Sequence, residues 1–322
     1  MFRKLVVPLD GSELAERALP YAVRLARAGQ GRISLVRVAL APPSMNIDGT
    51  GWDGDQREAI GDAEQYLAAV AGKLQDRVQV DTVVPYGRPA AQLLHQVKEL
   101  EANAVVMATH GRTGLAHLLY GSVAESVLSQ SEVPVLLVHA SPGKPAQPAF
   151  DLMAGRLLVP LDGSTFAEAA LELAFDFLGP TGELVLLGVC HPPGHVLLDE
   201  QGRPLAYLDE QAEDRSRKAH EYLEDVARRL RQKDPDLHVS VDVRLGAPHT
   251  GILAAAAEHL TDLVVMATHG RTGMRRIGMG SVALDVLRRG STPLLLIRPV
   301  NPPHQPATPP PAAPASGSTV IA

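Results

Sequence analysis

A single cysteine, Cys190, stands in the 322 residues. It excludes an internal disulfide and leaves too few thiolates for a cysteine zinc site, which fits a reducing compartment. Its place at the end of an apolar run, beside Val189, reads as a small buried hydrophobe rather than a redox centre. Aromatic residues make up only 4% of the chain, so the stacking platforms that hold single-stranded nucleic acid are largely missing. Positive charge is not in excess either: the formal net charge is −6, which argues against broad electrostatic binding to nucleic acid or an anionic membrane. No apolar stretch approaches the length of a membrane span, and the opening MFRKLVVPLDGS offers only a short apolar run before an acidic turn. These absences lead to the expectation of a cytoplasmic protein whose partners are neither nucleic acid nor membrane. Two common phosphate signatures are also missing. There is no GxxxxGK[ST], so the Walker lysine is absent, and no GxGxxG after the first apolar run.

What is present is repetition. The string MATHGRTG occurs at Met107 to Gly114 and again, unchanged, at Met266 to Gly273. KLVVPLDGS (Lys4 to Ser12) matches RLLVPLDGS (Arg156 to Ser164), and GRPAAQLLHQV from Gly87 matches GAPHTGILAAA from Gly246. VPVLLV (Val133 to Val138) matches TPLLLI (Thr292 to Ile297). The offset between the halves grows by seven residues between the second and third apolar runs, where surface loops absorb length. A chain of this length also exceeds what one hydrophobic core usually organises. The reading is two copies of one unit: domain 1 over 1–139, a Pro/Ala/Gly-rich linker over 140–154, domain 2 over 155–298, and a disordered tail over 299–322 that holds eight prolines.

Within the first half, β-rich apolar runs alternate with helical patterns. The order is LVVPL, the helix ELAERALPYAVRLARA, ISLVRVAL, a polar loop, the helix DAEQYLAAVAGKLQ, VQVDTVV, the helix PAAQLLHQVKEL, AVVMAT, the helix GSVAESVLSQ and VPVLLV. Strands apolar on both faces require helices on both sides. The expected class is α/β, two tandem doubly wound domains, each with a five-stranded parallel sheet flanked by helices in a Rossmann-like arrangement.

In such sheets ligands bind beyond the carboxyl ends of the strands, and MATHGRTG sits at that end of the fourth strand. In the first copy Gly111 is followed by nine residues and then by Gly121-Ser122, which opens a helix; Gly270 and Gly280-Ser281 repeat this spacing. A glycine loop running into a helix N-terminus offers unpaired amides, the positive end of the macrodipole and a serine hydroxyl to phosphate. VPLDGS puts the carboxylates of Asp10 and Asp162 at the same edge. There they could hold a ribose hydroxyl or a divalent ion, with Mg2+ the candidate, that bridges phosphates.

VPLDGS, the GRP or GAP that opens the third helix, ATHGRTG and the following GSVA occur in order in both halves. Through them the chain resembles a tandem universal stress protein, two UspA-type domains of the ATP-binding branch. That branch carries G-x-x-G, nine residues, G-[ST]. Gly111 and Gly121 fill the second and third glycine positions in the first half, Gly270 and Gly280 in the second, while Ala108 and Ala267 replace the first. The resemblance implies an adenine seat on Pro8, Leu9, Asp10 and Val38, and on Pro160, Leu161, Asp162 and Val189. It implies ribose and phosphate contacts from Met107, Ala108, His110, Gly111, Arg112, Gly121, Ser122 and Val123, and from Met266, Ala267, His269, Gly270, Arg271, Gly280, Ser281 and Val282. It also implies pairing of the two halves as a pseudo-dimer through the last strand, with further dimerisation of the whole chain open.

Plainer readings stand beside these. The glycines also suit tight turns, His110 and His269 also suit packing, and Arg112 and Arg271 also suit solvated surface. Arg275 and Arg276 face Ala116 and His117 in the first copy, which makes the second site the more basic unless they are surface charges. An Asp before Gly-Ser also makes an Asx turn or caps a helix. The segment Pro42 to Gly54, with Trp52, reads as a lid or as a disordered loop. No positioned base accompanies the phosphate cradle, so the expected function is an ATP-binding, nucleotide-dependent stress-response and regulatory module, with at most slow hydrolysis, rather than an enzyme. The competing functions are a dimerisation scaffold that has lost its nucleotide and an enzyme of adenylyl transfer using His110 or His269.

Overall fold

The computed structural model of the chain describes residues 2–40, 52–109, 121–140, 155–179, 181–190, 196–198, 204–207, 209–268 and 279–298. The first half contributes strands β1 (Lys4–Pro8), β2 (Arg32–Val36), β3 (Gln79–Val83), β4 (Ala104–Ala108) and β5 (Val135–Val138). The second contributes β6 (Arg156–Leu161), β7 (Glu183–Cys190), the antiparallel pair β8 (Val196–Leu198) and β9 (Pro204–Tyr207), then β10 (His238–Leu245), β11 (Leu263–Ala267) and β12 (Leu294–Ile297). The helices are α1 (Glu13–Glu16), α2 (Leu19–Ala28), α3 (Trp52–Gly72), α4 (Pro89–Glu99), α5 (Ser122–Gln130), α6 (Thr165–Phe177), α7 (Asp209–Lys233), α8 (Pro248–Glu258) and α9 (Ser281–Arg289).

Each half orders its strands alike, β3-β2-β1-β4-β5 in the first and β10-β7-β6-β11-β12 in the second, all parallel within the half. The runs that read as apolar on both faces are buried on both. In β1, Leu5 and Val7 belong to the core on one face of the sheet and Val6 to the core on the other. The first face is covered by α2, α3, α6 and α7, the second by α4, α5, α8 and α9. Burying one such leucine or valine contributes about 1.5–3 kcal/mol, which is why these strands hold the centre and not an edge.

The two sheets are one. β5 and β12 pair antiparallel, with Leu136 opposite Leu295, so ten strands form a continuous sheet. Both leucines are 0% exposed, and their neighbours Leu137 and Leu294 pack into the opposite core. The Phe2 ring meets Phe177 with centroids 4.4 Å apart, and the Arg298 guanidinium donates to the Ser129 carbonyl at 2.7 Å. The halves are therefore joined by a core as dry as the one inside either.

Three elements differ from the pattern read in the sequence. The first expected helix is two pieces, because Pro20 lacks the N–H for an i−4 bond and its ring crowds the carbonyl of Glu16. α6, without a proline, runs unbroken from Thr165 to Phe177. α3 begins at Trp52, ten residues before the expected helix start at Asp62, so the end of the segment read as a lid or loop is helical. Its first turns overhang a cavity instead of the core and so carry no apolar stripe. The added length of the second half falls around the hairpin β8–β9 and in α7. The Glu16–Tyr66 bond recurs as Glu168–Tyr222, and counting from that pair shows four extra residues between glutamate and tyrosine and three between the tyrosine and the next strand. Residues 41–51, the segment 141–154 read as a linker and the segment 299–322 read as a tail lie outside the described residues.

Leu136→Ala and Leu295→Ala are each expected to cost about 3 kcal/mol. Because the two side chains are direct partners, the double variant should cost less than the sum of the single changes. Guanidinium unfolding of the four proteins measures this coupling, and strict additivity would mean that the strand pair is not formed in solution.

Candidate functional site

In each half the strand order reverses direction between β1 and β4, or β6 and β11, and the chain leaves these neighbours toward opposite faces. A crevice opens at their carboxyl ends. A cavity of about 670 Å³ occupies it in the first half and one of about 930 Å³ in the second. Pro8, Leu9 and Asp10 from the end of β1, with Val38 beyond β2, form one wall of the first. Met107 and Ala108 at the end of β4 form the floor, and Gly121, Ser122 and Val123 close the far side. The second cavity is built likewise from Pro160, Leu161, Asp162 and Val189, from Met266 and Ala267, and from Gly280, Ser281 and Val282. Every described residue assigned to the nucleotide site in the sequence thus lines one cavity or the other. His110, Gly111, Arg112, His269, Gly270, Arg271, Arg275 and Arg276 lie outside the described residues.

The loop after β1 is fixed by its own side chains. Asp10 Oδ1 accepts from the Ser12 amide at 3.0 Å and from the Ser12 hydroxyl at 2.6 Å, while Ser12 Oγ accepts from the Ala15 amide at 3.2 Å. Gly11 between them sits at φ 88°, a conformation that admits glycine without strain. Asp162, Gly163 at φ 80° and Ser164 repeat the arrangement. The plainer reading of the aspartates as Asx-turn residues therefore holds, with the serines as the caps.

The second helix at each cavity is built oppositely. Gly121 is the N-cap of α5 and Gly280 that of α9, and neither start has a side-chain cap hydrogen bond from its N-cap residue. The Gly121 amide is tied to the Thr109 carbonyl at 3.3 Å and the Gly280 amide to Thr268 at 2.8 Å, which anchors each helix start to the strand end. Gly121 has φ −68° and ψ 147°, which any residue adopts, and a Cβ built there meets nothing within 4 Å. Among the described residues the lack of a side chain is demanded neither by the backbone nor by packing; it keeps the space in front of the helix start clear. Ala108 and Ala267, in place of the first motif glycine, are 8% and 7% exposed, so their methyl groups intrude little.

Sequence reasoning missed the roof. Asp55, Glu58, Ala59 and Asp62 of α3 and Arg37 beyond β2 line the first cavity; Cys190 and Arg215, Lys218 and Tyr222 of α7 line the second. Thr109 and Thr268, inside the repeated string, are buried at the strand ends and line the cavities too. One signal was available. Tyr66 donates to Glu16 Oε1 at 2.9 Å and Tyr222 to Glu168 Oε1 at 2.8 Å, a pair repeated in both halves that pins this helix over the cavity. Burial foremost, then the carboxylate partner, pushes both phenols well above their ordinary range.

Comparison with known proteins gives one consistent result. The model of the universal stress protein family matches residues 1–139 and 153–298. A universal stress protein of Mycolicibacterium smegmatis is 28% identical over 309 residues, covering 92% of this chain and 97% of its own length. One of Mycobacterium tuberculosis is 28% identical over 330 residues, covering 95% and 97%. Among solved structures, a universal stress protein from Archaeoglobus fulgidus shares the fold with a TM-score of 0.66 at 24% identity, over 92% of this chain and 98% of that one.

Two outcomes follow for the serines and tyrosines. Ser12→Ala and Ser164→Ala should each lose about 1 kcal/mol of stability as lost caps. Ser122→Ala and Ser281→Ala, which cap nothing, should stay within about 0.5 kcal/mol, as chemical denaturation would show. The folded state favours the neutral phenols, so their contribution is complete below the unfolded value of about 10 and fades only as pH climbs through the raised one. In an alkaline titration followed by phenolate absorbance, Tyr66→Phe and Tyr222→Phe should each remove a tyrosine from the last group to ionise.

Proposed function

Because this chain belongs to the universal stress protein family, carrying two of its domains in tandem, we propose that it is a regulatory protein that binds adenine nucleotide, ATP, at the carboxyl rim of its sheet. The observation that carries this reading is the space kept clear at Gly121, in front of an uncapped helix start and inside a cavity of about 670 Å³. A volume of that size suits a small-molecule ligand, and uncapped amides at the positive end of a helix suit a phosphate. Duplication of the same walls in the second half supports the same ligand class there.

The roles follow from the chemistry of the walls. Pro8, Leu9 and Val38, with Pro160, Leu161 and Val189, offer apolar surface to a base. Ser122, Val123, Ser281 and Val282 offer amides, and two of them hydroxyls, to phosphates. Asp10 and Asp162 face the ribose edge. Among the described residues no group of three or more His, Cys, Asp or Glu could hold a metal ion, so Mg2+ would enter with the nucleotide, bound through phosphates, water and one aspartate. Bound in this way it would neutralise phosphate charge. His110, Arg112, His269 and Arg271 complete the phosphate side in this proposal.

Hydrolysis, where it occurs, is slow in this reading, and nucleotide occupancy is the signal. Domain units of 1–139 and 155–298 joined by 140–154, and a cytoplasmic setting, belong to the same proposal. Among the described residues no helix is long and apolar enough to cross a membrane. The adenylyl-transfer alternative would require a second pocket for an acceptor beside the phosphates.

Gly121→Val combined with Gly280→Val tests the site, because the new side chains would stand where the phosphates are expected. ATP retention, measured by calorimetry and by analysing nucleotide released from the denatured protein, should fall at least about tenfold while the far-ultraviolet dichroism stays unchanged. Wild-type retention in the double variant would overturn the assignment.

A further inference from the structure

The two cavities share the walls that the strands provide but not the helix above them. Superposing the halves on the Glu16–Tyr66 and Glu168–Tyr222 bonds sets Ala59 at the place of Arg215 and Asp62 at the place of Lys218. The match of helix faces is sound, since Leu67 and Leu223, one residue beyond each tyrosine, are both 0% exposed. All four of the exchanged residues line their cavities. A neutral side chain has become a cation and an anion has become a cation.

The strand side differs as well. By register, Arg37 holds the place of Gly188. Its guanidinium lies 4.8 Å from the centre of the Tyr66 ring and donates to the Asp62 carbonyl at 3.4 Å, spanning from strand to helix across the first cavity. No side chain does this at Gly188, and the second cavity is the larger, about 930 Å³ against about 670 Å³.

The charges add up in opposite directions. Among the described residues that line the first cavity, Asp10, Asp55, Glu58 and Asp62 stand against Arg37, four carboxylates against one guanidinium. Around the second, Asp162 stands against Arg215 and Lys218. Lys218 pairs with Asp214 at 2.6 Å, and Asp214 also pairs with Arg217. Counting this outer group still leaves three cations against two carboxylates among the described residues. Walls of one sign focus the field into a cleft and select ligands by charge.

We propose that the two cavities are not equivalent: the second is the tighter site for the free nucleoside polyphosphate, and the first, ringed by carboxylates, holds the same polyanion more weakly while taking the uncharged nucleoside as readily. This rests on the nucleotide reading above and adds the charge preference of each cavity.

Calorimetric titration of the full chain with ATP and with adenosine, in magnesium-free buffer of low ionic strength, tests it. ATP should bind in two events separated roughly tenfold or more in affinity, whereas adenosine should fill both cavities within a few-fold. Lys218→Asp should weaken the strong ATP event roughly tenfold, and Asp62→Lys should strengthen the weak one, with adenosine binding unmoved in both as proof that the cavities remain intact. The separation should shrink as salt is raised. Two equal ATP events, or charge exchanges without effect, would overturn the inference and leave the nucleotide reading standing. ATP binding without adenosine binding would overturn the ligand assigned to the first cavity. Failure of both ligands to bind would remove the nucleotide reading itself, and this inference with it.

Discussion

A strand that is apolar on both faces has to be covered twice, and everything else in this molecule follows from that constraint. Parallel strands can be covered on both faces only by helical crossovers, and crossovers that depart to opposite faces from neighbouring strands leave a gap at the carboxyl rim. β1 and β4 diverge in this way, as do β6 and β11. The gap is not a feature added to the fold for binding. Its chemistry is added, by what the sequence places on the rim: a self-capped loop on one side, Asp10 to Ser12, and a bare helix start on the other, Gly121 to Ala124.

Much of this was legible from the residues. Continuous runs such as LVVP and AVVMA are unambiguous as buried strands, and the duplicated strings locate the rim because loops at the carboxyl ends must carry the repeated polar and glycine residues. The serine and glycine at each helix start could be placed for the same reason. What could not be read was whatever depends on a face that is neither core nor solvent. The first turns of α3 carry Asp55, Glu58 and Asp62 at helical spacing, yet a polar stripe of this kind looks the same whether it borders water or a cavity. Pro20 was visible, but its effect depends on whether the packing of Leu19, Ala22 and Val23 holds the second piece in place after the break.

Duplication makes the comparison between halves informative. Walls inherited in common, such as Pro8 with Pro160, Met107 with Met266 and Gly121 with Gly280, describe what the fold asks of the rim. Positions where the halves part, such as Asp62 with Lys218 and Arg37 with Gly188, are free of that demand, since both versions fold on the same backbone. They sit on the roof and at its hinge with the sheet, and the Glu–Tyr bond keeps that roof at one height over two different interiors.

The seam between β5 and β12 has a further consequence. Both strands belong to one polypeptide, so the partners are held at an effective concentration set by a short tether and not by how much protein is present. Dilution does not separate them. Each molecule therefore always carries one interior of each kind, in a fixed ratio that expression level leaves untouched.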